Sequence, residues 1–157
     1  VLIKNGNNIS PLLDYTKSGD FLMRYMWNVV IFLLGGVSYC LIEIMWRQHT
    51  HWTMLVLGGI CFLALYKIFN KLNNISLLEK CVLGAGVITL FEFTTGCIVN
   101  LYFGLKIWNY SNMPFNLLGQ ISIVYSTLWG FLCIPINFLS KKIKENYNST
   151  MAIKMEK

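Results

Sequence analysis

CVLGAGVITLFEFTTGCIVNLYF, residues 81–103, decides the class of fold. It is 23 residues long and carries one charged group, Glu92, which lies eleven residues from either end. A helix needs about 20 predominantly apolar residues to cross the hydrocarbon core of a bilayer. A helix on the surface of a water-soluble core keeps one apolar stripe and one polar face. This stretch is apolar all round, so lipid is its natural solvent.

Three more runs of the same kind lie on either side of it, at residues 25–46, 52–69 and 117–139. They are 22, 18 and 23 residues long, each sufficient for one crossing. The predicted fold is therefore an all-α integral membrane protein, a four-helix transmembrane bundle. It divides into an N-terminal segment at 1–24, a transmembrane domain at 25–140 and a basic tail at 141–157. Composition agrees: hydrophobic residues make up 55% of the 157 and charged residues 13%, too few to solvate a globule of this size. The segment at 1–24 is mixed and polar and has no apolar signal-peptide core.

The net charge of +6 does not point to nucleic acid, because the cations flank apolar runs instead of forming one patch. They read as topology signals and contacts to anionic lipid. Lys4, Lys17, Arg24, Lys67, Lys71, Lys80 and the five lysines after residue 140 fall on one side, against Arg47 and Lys106 on the other. Both termini are thus predicted to be cytoplasmic, with the short loops after the first and third helices facing outward. The N-x-[ST] triplets at Asn8, Asn74 and Asn148 lie on the predicted inside and read as chance matches. Cys40, Cys61, Cys81, Cys97 and Cys133 are odd in number, form no CxxC and sit in or beside apolar runs, so they read as small fillers.

Small residues predict close helix packing, which in lipid relies on dispersion contacts between backbones. Gly35, Gly36, Gly58, Gly59, Gly84 and Gly86 supply them, as do Ser122, Ser126 and Gly130 at every fourth position of the last run. Pro135 is expected to kink that helix. GGVSYCLIE (35–43) aligns with GAGVITLFE (84–92), a faint sign of two parallel helical hairpins.

Carboxylates inside hydrocarbon are costly and ordinarily face the bundle interior with a partner. Glu43 has Arg47 four residues on, in the favourable order for a helix pair. Glu92 has no such neighbour; Thr89 and Thr95 share its face. Asn100 and Gln120 add amides near the outer ends of the third and fourth helices. The outer loops bring His51, Trp52, Trp108, Asn109, Tyr110 and Asn116 to the same side. Glu43, Arg47, His51, Trp52, Thr89, Glu92, Asn100, Trp108, Asn109, Tyr110, Asn116 and Gln120 therefore form the candidate polar site. His49 and His51 put both rings on one side only if their segment is extended; the hairpin is short and Glu43 lies two turns of helix below, so no metal or cofactor is expected.

Several of these residues also carry a resemblance. GGVSYCLIE (35–43), the R-x-x-x-HW of 47–52 continuing to Gly58 and Gly59, ITLFEFTTGCIVN (88–100) and WNYSNMPFNLLGQI (108–121) resemble the bacterial membrane-protein family called putative ABC-transporter type IV. Gln48 stands where that family usually has Gly, and Asn109 where it usually has Asp, which removes an acid from the outer loop. The resemblance implies a small permease-like transport component, multi-pass in the bacterial cytoplasmic (plasma) membrane. The chain has no GxxxxGK[ST] phosphate loop, so ATP hydrolysis by that route would need a separate ATPase subunit. Lipid, further copies of the chain or such a subunit are the expected partners. Two other classes stand beside transport: a non-catalytic partner that binds lipid or another membrane protein, and an outward-facing enzyme with Glu43, Glu92 and His51 as acid–base groups. No nucleophile–base spacing supports the enzyme.

Overall fold

The computed structural model describes residues 10–155; Lys4, Asn8 and Lys157, among the expectations above, lie outside the described residues. Helix α1 spans Ser10–Arg47, α2 Trp52–Lys71, α3 Leu77–Gly96 and α4 Ile123–Met155. A π-helical turn, Cys97–Tyr102, extends α3, and a two-stranded antiparallel hairpin, β1 (Asn116–Leu117) and β2 (Ile121–Ser122), precedes α4. Four stretches, Phe21–Arg47, Trp52–Lys71, Leu77–Tyr102 and Ile123–Ile153, are long and apolar enough to cross a membrane.

Local chemistry sets the helix ends. Gln48 takes a left-handed φ of 62° and ends α1. His51 is extended and caps α2, its Nδ1 accepting the N–H of Thr53. Ser76 and Glu79 form a reciprocal capping box at the start of α3. Ser122 Oγ accepts from the N–H of Tyr125 at the start of α4. Ser122 thus belongs to β2 and caps α4, whereas the apolar run at 117–139 had predicted it inside the helix. The cause lies in Leu118 and Gly119, whose φ values of 53° and 67° turn the chain back on itself. A Cβ on Gly119 would meet Ser111 Oγ and Asn109 Oδ1, so this turn is closed as well as left-handed. At the other end α4 continues as a helix through Pro135 and the basic stretch to Met155.

Helix α2 is the central post. Half of its apolar window is buried, against 22% for α1 and α4 and 28% for α3. Met54, Leu57, Cys61, Leu65 and Phe69 recur along it every three or four residues and form the core. The α1–α2 seam is a glycine seam. Gly35 faces Phe62 and the Gly58 carbonyl, Gly58 faces the Tyr39 side chain, and Gly59 lies under the Phe32 ring. Gly84 and Gly130 serve the α3–α4 seam, against Cys133 and Ala85 respectively. Gly86 differs from its expected packing role: it is exposed, with nothing within 4 Å of the position a Cβ would take.

Lys80, read from sequence as a flanking cation, turns inward. It is buried, donating to the Phe69 carbonyl at 3.3 Å and to Asn137 Oδ1 at 3.4 Å. Lys144 donates to the Asn70 carbonyl at 3.3 Å. The last carbonyls of α2, the negative end of its dipole, are thus satisfied by cations from α3 and α4.

Candidate functional site

The expected polar site resolves into four side-chain networks, the first two of which meet at Ile107. The first joins Glu43 and Arg47, the only ion pair among the described residues, at 2.9 Å. Thr50 donates to the second Glu43 oxygen, and Arg47 Nη2 reaches the Ile107 carbonyl at 2.6 Å. Helix α1 is thereby tied to the segment that follows α3.

The second network centres on Asn100. Its Nδ2 donates to Gln120 Oε1 at 2.8 Å and to the Trp108 carbonyl at 3.1 Å, and its Oδ1 accepts from the Ile107 N–H at 2.7 Å. The Trp108 indole donates to the Gln120 carbonyl at 2.9 Å. These bonds fold the irregular segment after α3 back into the bundle and satisfy backbone groups that a membrane could not. The π-helical turn carries Asn100 in this buried position.

The third network shapes the loop itself. Asn109 Oδ1 accepts from the N–H and hydroxyl of Ser111, while Asn116 bridges Ser111, Met113 and Gly119. Three expected members have other employment. His51 caps α2, Trp52 is 70% exposed, and Thr89 donates to Ser126 Oγ across the α3–α4 seam at 2.9 Å.

Glu92 forms the fourth network, with partners from distant parts of the chain. It is 3% exposed. Tyr110 Oη donates to one oxygen at 2.9 Å and Trp129 Nε1 to the other at 2.8 Å. Burial, followed by the nearby Glu92 charge, pushes the Tyr110 phenol well above its ordinary pKa, so it stays a donor. Tyr110 stacks on Tyr125 with centroids 4.3 Å apart, and Tyr125 leads to Trp129 and then Tyr39. No cation pairs with Glu92 among the described residues.

Beneath this carboxylate lies a cavity of about 260 Å³, bounded by all four helices. Helices α1 and α4 meet through aromatic bridges, Tyr39 on Trp129 and Trp27 on Tyr147, at centroid distances of 6.0 and 5.7 Å. Bulky rings hold the two backbones apart and leave space between them. Tyr39, Glu92 and Trp129 line one end of it, and Leu65 and Leu139 lie toward the Lys80 end. Tyr39 and Trp129 were not among the expected site residues. An indole in the middle of a span, away from the interfaces where indoles concentrate, was the available signal for Trp129.

The family model described as putative ABC-transporter type IV matches residues 30–156. This chain belongs to the putative ABC-transporter type IV family. It is a transport-related, multi-pass membrane protein. The family match takes in all four networks, from α1 at Val30 to the end of α4. No curated protein and no solved structure shows significant similarity to the chain.

Proposed function

We propose that the chain is a small permease-like transport component of the bacterial plasma membrane, with both termini cytoplasmic and its solute site at Glu92. The observation that carries this reading is a buried carboxylate, held by two neutral donors and no cation, at the end of a cavity between all four helices. A group that expensive in hydrocarbon is ordinarily retained for a task. The cavity is a pocket and not a path, so movement of a solute across the bilayer calls for a second copy or a separate ATPase subunit. Glu92→Gln is expected to abolish uptake or export of the solute in cells while leaving expression and membrane insertion intact. Purification in mild detergent with mass spectrometry of everything retained identifies the partner. Wild-type transport by the Glu92→Gln protein would remove this reading.

A second reading, a non-catalytic partner of lipid or another membrane protein, draws on the outer α3–α4 face. There Ala85, Ser126 and Gly130 line a shallow crevice, and Gly86 stands exposed close by. Loss of association with a co-purifying protein in Gly86→Leu, with transport unchanged, would favour it.

A further inference from the structure

We infer that the cavity beneath Glu92 takes a monovalent organic cation with an apolar body, such as a quaternary ammonium, an inference that rests on the solute-site reading above. Four features of the cavity select this class. Glu92 is the one carboxyl group lining it, and no Lys, Arg or His lines it. Each of its oxygens accepts one hydrogen bond, which leaves acceptor capacity on both, and beside it the lining offers only the Ser38 and Tyr39 hydroxyls and no cation to a bound anion. The rings of Tyr39, Phe62 and Trp129 also line the space, and aromatic faces attract a desolvated cation. The remaining wall is almost wholly aliphatic, from Ile42, Leu57 and Ile88 to Leu132 and Leu139. A sugar, an amino acid or a phosphate would leave its polar groups unpaired against that wall.

A metal ion fits poorly. Among the described residues no group of three or more His, Cys, Asp and Glu side chains converges, and one carboxylate is too few ligands. A weakly hydrated cation that brings its own apolar surface loses little on leaving water and gains both the carboxylate and the rings.

The same geometry makes a proton the natural competitor. A lone carboxylate in a low-dielectric pocket is neutralised either by a proton or by a bound cation. The titratable groups that face it are Tyr39 from α1, Cys61 from α2 and Tyr110 from the segment after α3, and all three are neutral acids near neutral pH. From α4 it meets the Trp129 indole, which does not titrate. Glu43 and Arg47 compensate each other. Binding of the cation therefore displaces a proton from Glu92.

The test uses the full chain in mild detergent and radiolabelled benzyltrimethylammonium in equilibrium dialysis. Saturable one-to-one binding is expected, weakened about tenfold or more by Glu92→Gln and on lowering the pH from about 8 to about 5. Leu132→Trp fills the cavity from a residue that makes neither Glu92 hydrogen bond and is expected to abolish binding. It keeps the test sharp if Glu92→Gln fails to fold. Neopentylbenzene, the neutral isostere, is expected not to displace the cation. Absence of saturable binding, or binding that both variants leave unchanged, overturns the inference. Equal displacement by neopentylbenzene overturns the cation assignment but leaves the cavity as a solute site, so the two readings fail separately.

Discussion

The two buried carboxylates of this bundle solve the same physical problem in opposite ways. Glu43 is compensated by Arg47 one turn along its own helix, and Arg47 Nη2 also donates to the Ile107 carbonyl. Glu92 is held by a phenol and an indole and lines the cavity between the four helices. The first arrangement is closed: charge, hydrogen bonds and packing are all used within the fold. The second is oriented by neutral donors, with no cation beside it among the described residues. A carboxyl group fixed in position by neutral donors can exchange a proton for a cation that arrives, whereas one paired with arginine is already committed.

This contrast can be broken by mutation, and stability should separate the two sites. Arg47→Met leaves Glu43 buried without its cation and frees the Ile107 carbonyl. It is expected to lower stability by about 3 kcal/mol, the largest effect of the set, read as thermal unfolding in detergent. A shift near zero would mean that the pair is an exposed tie of little value. Asn100→Ala removes the clamp on the segment that carries Tyr110 and is expected to cost about 2 kcal/mol. It should also raise proteolysis at residues 103–116; an unchanged digestion pattern would show that the clamp is not what holds the segment. Trp129→Phe keeps the ring against Tyr39 but removes one donor, at a cost of about 1 kcal/mol. Smallest in stability is Glu92→Gln. The lost hydrogen bond and the removal of a buried ionisable group offset each other, so the change should stay within about 1 kcal/mol while solute handling is lost. A large destabilisation with transport intact would make Glu92 a structural tie like Glu43 and dissolve the contrast.

The sequence made one of these sites far more legible than the other. Glu43 and Arg47 are four residues apart, and helix geometry alone pairs them. Glu92 meets Tyr110, 18 residues on, and Trp129, 37 residues on. Those meetings depend on how α3, α4 and the segment between them pack, which periodicity does not encode. The spans themselves were readable because apolar length is a property of each run alone. Their ends were less so. Residues 117–122 are apolar enough to pass for helix, yet Gly119 and the hydrogen bonds of Asn116 and Gln120 turn them into a hairpin. Thr89 was grouped with Glu92 on helical spacing, but the lateral position of Ser126 draws its hydroxyl to the neighbouring seam. Lys80 looked like an interface marker because a cation at a helix start ordinarily reaches water. The unsatisfied carbonyls at the end of α2 offered it a nearer partner.

The glycine seam has a mechanical consequence. Helices α1 and α2 touch almost backbone to backbone, so they behave as one stiff blade. Helices α3 and α4 form a second blade, fastened by Gly84, Gly130 and the Thr89–Ser126 bond. Across the remaining edge, α1 meets α4 through aromatic rings that flank the cavity. A scissoring of the two blades about α2 is then the softest deformation of the molecule, and the rings of Tyr39 and Trp129 are the catch that such a motion would spring.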